Sequence, residues 1–155
     1  MARPWLKLLD PGLTALKTAA STAFEDRLAL ARAYNVRARH EEAREVLDQL
    51  LAEDRSNAEA WFERLLCFSN HAGDEEGPEL MGQLESLRDE HPTAGGHLRN
   101  LGYLRLLMQD LDGAELTLQQ ALALNGQDPK ALELAGLVQL HMNQPADAKA
   151  WLLKA

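Results

Sequence analysis

Histidine and cysteine, the residue types that most often carry catalysis or bind metals, are few and scattered in this chain. The histidines are His40, His71, His91, His97 and His141, and the single cysteine is Cys67. Zinc sites and nucleophilic catalysis need partners at defined positions, and no two of these histidines stand four residues apart beside a carboxylate. The sequence therefore predicts no catalytic residue, no metal site and no enzyme activity.

Glycines and apolar runs also limit the function. The 10 glycines are dispersed rather than grouped in a phosphate-binding loop, so we expect no cofactor. Cys67 cannot form an internal disulfide and is interpreted as a core thiol in a reducing compartment. No apolar run reaches about 18 residues, and the first residues lack the pattern of a signal peptide. These features predict a cytoplasmic protein without membrane insertion, although an exported protein that begins at a new methionine would look the same.

The net charge of -8 lies mostly in one part of the chain. Residues 58–94 hold nine acidic side chains and two arginines, which together account for -7. Phosphate binding needs an extended basic surface, so the sequence predicts no nucleic-acid partner. The acidic stretch either steers a basic partner or is a solvated surface that keeps the protein soluble.

One pattern recurs through most of the chain, and the pattern of residues 97–121 reappears 34 positions later. Leu98, Leu101, Gly102, Ala114, Leu118 and Ala121 correspond to Leu132, Ala135, Gly136, Ala148, Leu152 and Ala155. One earlier copy lies 37 residues before this one, and another lies 34 residues before that. In each copy apolar residues recur at helical spacing, stop, and then recur again, which predicts two amphipathic helices. Small residues such as Gly102 stand where helices must approach closely.

This unit resembles the tetratricopeptide repeat, a helix–turn–helix of about 34 residues. The matching residues are Tyr34, Trp61, Phe68, Leu101-Gly102, Ala135-Gly136, the series Ala43, Ala114 and Ala148, and Pro92. Arg27 and Arg64 depart from the pattern because large apolar residues are usual there. The second unit also carries three extra residues between Asn70 and Glu79.

The resemblance covers about residues 23–155 and implies an all-α fold, a right-handed superhelix of four helix–turn–helix units with an extra N-terminal helix. We expect a capping segment at 1–22 and a repeat array at 23–155. The units would span about 24–57, 58–94, 95–128 and 129–155. Their helices are predicted near 24–37, 41–53, 58–70, 78–90, 96–109, 111–124, 129–142 and 145–154. A leading helix, started by Asp10-Pro11, is predicted near 11–21.

Both ends of the chain are candidates for self-association. The apolar residues 5–9 either cover the first repeat as a lid, act as a dimerisation arm, or bind the protein's own groove. Trp151, Leu152 and Leu153 are apolar and have no later residues in this sequence to cover them. We expect a second copy or a continuation of the chain to cover that end.

In tetratricopeptide proteins, partners usually bind the concave stripe beside the core of each first helix. The same positions can be located in this chain from the repeat spacing. They predict a peptide-binding groove formed by Arg32, Asn35, Phe62, Leu66, Arg99, Asn100, Tyr103, Leu106, Lys130, Leu137 and Leu140. Some relatives hold a peptide's carboxylates with lysine and asparagine, but Leu28, Arg32 and Glu63 occupy the matching positions. An apolar groove anchored by Tyr103 suits an amphipathic helix or an apolar extended segment. Packing between successive repeats would bury the same residues without a ligand.

The expected function is that of a protein-interaction module, an adaptor or assembly factor that binds a protein or peptide ligand. Two alternatives remain. The leading helix, the acidic balance and Asp128-Pro129 resemble bacterial type III secretion chaperones that hold translocator subunits. The third interpretation is a self-assembling structural scaffold of such repeats.

Overall fold

The computed structural model describes residues 23–70 and 75–154 and divides the chain into two compact units, Met1–Ala72 and Gly73–Ala155. All regular structure in the described residues is α-helical. The unit boundary falls inside the second predicted repeat, in the stretch where the sequence carries extra residues. The helix predicted near 11–21 lies outside the described residues.

Eight helices follow one another in the described residues. The first unit contains α1 (Phe24–Val36), α2 (His40–Glu53) and α3 (Ala58–Ser69). The second unit contains α4 (Gly77–Glu90), α5 (Gly95–Leu107), α6 (Leu111–Leu124), α7 (Pro129–His141) and α8 (Pro145–Lys154). Each predicted repeat helix is present, with its ends within about two residues of the prediction. The all-α helical-repeat prediction is confirmed.

Side chains fix where several of these helices begin. The carboxylate of Asp128 accepts hydrogen bonds from the backbone N–H groups of Lys130 and Ala131 at the start of α7. Asp110 caps α6 in the same way through the N–H of Gly113. Such caps satisfy backbone donors that have no partner within the helix.

The turns between paired helices share one backbone feature. Ala38, Gln109 and Asn143 have φ angles of 57°, 64° and 57°, in the left-handed region. Each residue lies between two helices of one predicted repeat, and Gln109 and Asn143 are 34 positions apart. The turn therefore repeats with the same period as the helices.

In the first unit, two arginines stand at positions where the repeat usually has apolar residues, and each forms an ion pair. The Arg27 guanidinium on α1 pairs with both carboxylate oxygens of Glu53 on α2, at 2.8 and 2.5 Å. Arg64 on α3 is 3% exposed, and its Nε donates to Asp48 on α2 at 2.9 Å. Two charged residues thus connect their helices to α2, while the alkyl stems lie in positions the repeat usually gives to apolar residues.

The second unit is organised around α5, which packs against α4, α6 and α7. Nine of the ten residues of α5 from His97 to Leu106 are buried. Neighbouring structure therefore covers this part of the helix on all sides. Gly102 allows the closest approach. A Cβ built on it would lie 2.7 Å from Cγ of Leu118 on α6, a side chain that is itself fully buried. The glycine is therefore required by helix packing rather than by a turn.

We predict that Gly102→Ala lowers the free energy of unfolding by about 1–3 kcal/mol, because the added methyl group forces the fully buried Leu118 to shift. Gly82→Ala on α4 is the matched control, since its added Cβ meets no atom within 4 Å. That substitution should stabilise the protein by about 0.5–1 kcal/mol through helix propensity. Urea unfolding of both variants checks this. Equal stability of the two variants would contradict the close-packing argument.

Candidate functional site

In the first unit, one face of α3 carries charged and apolar side chains together. Glu59, Phe62, Glu63 and Leu66 stand at helical spacings of three and four residues. Phe62 and Leu66 are partly exposed, one turn apart. Arg32 of α1 approaches Glu59 at 3.5 Å and Glu63 at 3.6 Å, and its side chain is 42% exposed. The predicted groove residues Arg32, Phe62 and Leu66 therefore belong to one partly open surface.

Asn35, another predicted groove residue, is used inside the first unit. Its Nδ2 donates to Oε2 of Glu63 at 2.9 Å and to the backbone carbonyl of Glu63 at 3.1 Å. Its Oδ1 accepts from Sγ of Cys67 at 3.2 Å and lies 3.0 Å from Nδ1 of His40. Asn35 thus joins α1 to α2 and α3 and orients Glu63 beside Arg32. Its position on a stripe could be read from the sequence, but these partners could not.

The structure corrects the expected exposure of four groove residues on α5. Arg99, Asn100, Tyr103 and Leu106 are 4%, 0%, 9% and 6% exposed. The physical reason is that α5 is packed on by three helices, so its second stripe is interior as well as its first. Tyr103 therefore does not offer the wide contact area expected of an anchor.

A buried ion pair explains why an arginine occupies the interior of the second unit. Nη1 of Arg99 donates to Oδ2 of Asp128 at 3.1 Å, and the two side chains are only 5% and 12% exposed. The guanidinium also donates to Oδ1 of Asn100. Asp128 therefore has two roles, since its other oxygen caps α7. The sequence indicated the cap through Asp128-Pro129 but gave no signal for the pair.

The open part of the predicted stripe in the second unit lies on α7. Lys130 and Leu137 are partly exposed, Glu133 is exposed, and Leu140 is 46% exposed. Their spacing places them along one side of the helix. Two predicted stripe segments thus reach solvent: Phe62 with Leu66 on α3, and Leu137 with Leu140 on α7.

The thiol of Cys67 belongs to the core of the first unit. It is 1% exposed and packs in a cluster with residues such as Leu28 and Tyr34. Burial raises the pKa of Cys67 to about 11 in spite of the nearby Arg64 guanidinium. The protonated thiol is therefore the stable form, which confirms the interpretation as a core cysteine. Within 23–70 and 75–154, no group of three or more His, Cys, Asp or Glu side chains is arranged to hold a metal ion.

His97 is a buried titratable group in the second unit. It is 3% exposed, its ring centroid lies 5.4 Å from that of His91, and its Nδ1 has no hydrogen-bond partner among the described residues. Burial lowers the pKa of His97, and the neighbouring His91 and Arg99 lower it further, against an opposing effect of Glu90. Protonation of the folded protein at this position is therefore unfavourable.

We predict that the protein loses stability below about pH 6.5, the ordinary pKa of histidine. Between the lowered folded-state pKa of His97 and that value, the unfolded chain binds more protons, so the free energy of unfolding rises with pH. Urea unfolding of the wild type and His97→Gln at several pH values measures this slope. The variant should have the smaller slope. Identical slopes for the two proteins would contradict the prediction.

None of the helices in the described parts of the chain is both long and apolar enough to cross a membrane.

Comparisons with known proteins agree with this architecture. A family model described as "Tetratricopeptide repeat" matches residues 24–67. No curated protein matches the chain by sequence. A solved structure described as a thermophilic TPR protein, TTC0263 of Thermus thermophilus, is similar with a TM-score of 0.75 and 23% identity, over 97% of this chain and 84% of that one.

Two further solved structures show the same likeness. The MamA fragment from Desulfovibrio magneticus RS-1 has a TM-score of 0.56 and 18% identity, over 96% of this chain and 87% of that one. PilF of Pseudomonas aeruginosa has a TM-score of 0.58 and 25% identity, over 84% of this chain and 59% of that one. At such identities the likeness concerns the fold. Together with the family match, it identifies residues 24–67 as a tetratricopeptide repeat and the chain as a protein of the tetratricopeptide-repeat fold.

Proposed function

We propose that this protein is an interaction module, an adaptor or assembly factor that binds an apolar or amphipathic segment of another protein. The tetratricopeptide fold generally mediates protein–protein interaction, and helical repeats use extended surfaces for binding. The observation that carries the proposal is that two apolar stripes are at least partly exposed, Phe62 with Leu66 and Leu137 with Leu140.

The chemistry of each stripe defines the ligand. On α3 the apolar pair is next to the Arg32–Glu59 and Arg32–Glu63 pairs, and on α7 the apolar pair follows Lys130 and Glu133. A ligand that fits must therefore bring apolar side chains for the open leucines and polar groups for the neighbouring charges. An amphipathic helix or an extended segment with alternating side chains has that arrangement. Partly exposed apolar surface of this kind often marks an interaction site.

Single substitutions test the proposal. Leu66→Glu and Leu140→Glu place a charge on each stripe, whereas Leu116→Glu places the same charge on an apolar residue of α6 that is 57% exposed and lies outside both stripes. The affinity of a partner captured by the wild type should fall about tenfold or more for at least one stripe variant and stay within about threefold for Leu116→Glu. Full affinity in both stripe variants would reject the proposal.

Self-association is a second candidate, favoured by the surface of α8. Leu152 and Leu153 are 39% and 76% exposed, and Nζ of Lys154 lies 4.9 Å from the ring centroid of Trp151. If a second copy covers this surface, sedimentation will show dimers that dissociate on dilution, and Leu153→Glu will remain monomeric. A wild type that is monomeric at every concentration would reject self-association through α8.

A further inference from the structure

The turn between α6 and α7 contains the one asparagine–glycine pair in the sequence, Asn125-Gly126. Both residues are exposed, and Asn125 follows α6 in an extended conformation, with φ of -144° and ψ of 91°. Glycine has no side chain that could hinder its own backbone nitrogen. The surroundings of this pair therefore decide whether the nitrogen can react with the neighbouring side-chain amide.

The side-chain amide of Asn125 is polarised by the turn itself. The backbone N–H of Gln127 donates a hydrogen bond to its Oδ1 at 3.1 Å. This bond folds the side chain over the following backbone, as in an Asx turn. It also provides a donor at the oxygen on which negative charge develops when a nucleophile attacks Cγ, and such a donor stabilises the intermediate.

The backbone nitrogen of Gly126 is available as the nucleophile. Within the residues that the structure describes, no group accepts a hydrogen bond from its N–H. The nitrogen can therefore lose its proton to hydroxide from the solvent without breaking a hydrogen bond of the folded protein. Its attack on Cγ of Asn125 closes a five-membered ring, so the reaction is intramolecular and needs no encounter between molecules.

Asn143 in the turn between α7 and α8 is the matched comparison within the same chain. It is exposed, like Asn125, but the residue that follows it is Gln144. The backbone N–H of Gln144 donates to the carbonyl oxygen of Gln139 at 2.8 Å. The nitrogen beside Asn143 is therefore both held by a hydrogen bond and hindered by a side chain, whereas the nitrogen beside Asn125 is neither.

We propose that Asn125 is a site of spontaneous covalent modification, at which the side-chain amide becomes a carboxylate through a cyclic succinimide. The deprotonated nitrogen of Gly126 forms a bond to Cγ, and the bond from Cγ to the side-chain nitrogen breaks as that nitrogen takes a proton from water and leaves as ammonia. Water then adds to one of the two ring carbonyls, and the bond from that carbon to the Gly126 nitrogen breaks. Opening at Cγ gives aspartate, and opening at the main-chain carbonyl gives isoaspartate. The net change consumes one water and releases one ammonia, without oxidation or reduction.

The modified turn leads directly into the start of α7. Asp128, three residues after Asn125, caps that helix and pairs with Arg99. Aspartate at position 125 leaves the main chain unchanged, and its carboxylate can still accept from the N–H of Gln127. Isoaspartate instead routes the main chain through the former side chain and lengthens it by one carbon, which displaces Asp128 relative to α6. The modification therefore weakens the start of α7 in proportion to the isoaspartyl fraction.

Mass spectrometry of the full chain tests the proposal. The protein is incubated in water enriched in heavy oxygen, at mildly acidic and at mildly alkaline pH, and its proteolytic peptides are analysed. We expect the peptide that contains Asn125 to replace its amide nitrogen by heavy oxygen, to separate into aspartyl and isoaspartyl forms, and to react faster at the alkaline pH. Conversion at Asn125 should be about tenfold or more faster than at Asn143. No conversion at Asn125, or equal rates at the two asparagines, would overturn the proposal.

Gly126→Ala tests the role of the glycine while preserving the turn. The φ angle of Gly126 lies outside the left-handed region, and an added Cβ would meet only the carbonyl oxygen of Leu122, at an ordinary contact distance of 3.4 Å. The variant should therefore melt close to the wild type but convert Asn125 about tenfold or more slowly, because the methyl group hinders the nitrogen. An unchanged rate would overturn the proposal. The reaction needs no partner, so none of these outcomes depends on the proposed binding function.

Discussion

Asp128→Ala is expected to cost about 3–5 kcal/mol of unfolding free energy, the cost of removing one partner from a buried ion pair. The carboxylate of Asp128 pairs with Arg99 at 3.1 Å, and both side chains are nearly inaccessible to water. The same substitution removes the cap of α7. Urea unfolding followed by circular dichroism measures the loss.

Asp110→Ala is the matched control for this prediction. Asp110 caps α6 as Asp128 caps α7, but it stands in an exposed position. Its loss should therefore cost only about 1 kcal/mol, the usual value for a helix cap. Equal losses for the two variants would show that the Arg99 pair adds nothing beyond capping.

Tyr103→Glu is expected to destabilise the protein by about 3 kcal/mol or more. The tyrosine is 9% exposed in the interior of the second unit, so the substitution removes a large packed ring and buries a carboxylate. We expect a much lower melting temperature and loss of helicity at moderate urea concentrations.

Leu140→Glu supplies the contrast, because Leu140 also belongs to the predicted groove but is 46% exposed. Its effect on stability should not exceed about 1 kcal/mol. If Tyr103→Glu is as stable as Leu140→Glu, then Tyr103 is accessible in solution and can serve as the anchor for a ligand.

The positions of the helices could be predicted because they depend on local pattern. Apolar residues at helical spacing, the recurrence at 34 residues and the start signal Asp128-Pro129 are all properties of neighbouring residues. The sequence also predicts that Gly102 lies at a close contact between helices, because a small residue recurs at the equivalent position, Gly136. The structure shows the contact directly, with Leu118.

Which stripe reaches solvent could not be predicted, because that depends on helices distant in sequence. Tyr103 and Leu106 have the same residue types as a binding stripe, yet α5 is enclosed by its neighbours. Spacing predicts Arg99 on the binding stripe, but Asp128, 29 residues later, pairs with it in the interior. Asn35 was expected to contact a ligand, but Glu63 and Cys67 use its amide. Periodicity identifies stripes and does not identify their partners.

Site-specific photo-cross-linking tests the central claim, that the two partly exposed stripes bind a protein segment. A photoreactive phenylalanine analogue is placed at Leu66, Leu140 or the control position Leu116 in cells that make the protein, and the cross-linked peptides are sequenced. We predict cross-links from 66 or 140 to an apolar or amphipathic segment of another protein, with little product from 116. Products from 116 alone, or cross-links from 66 and 140 only to polar segments, would contradict the account.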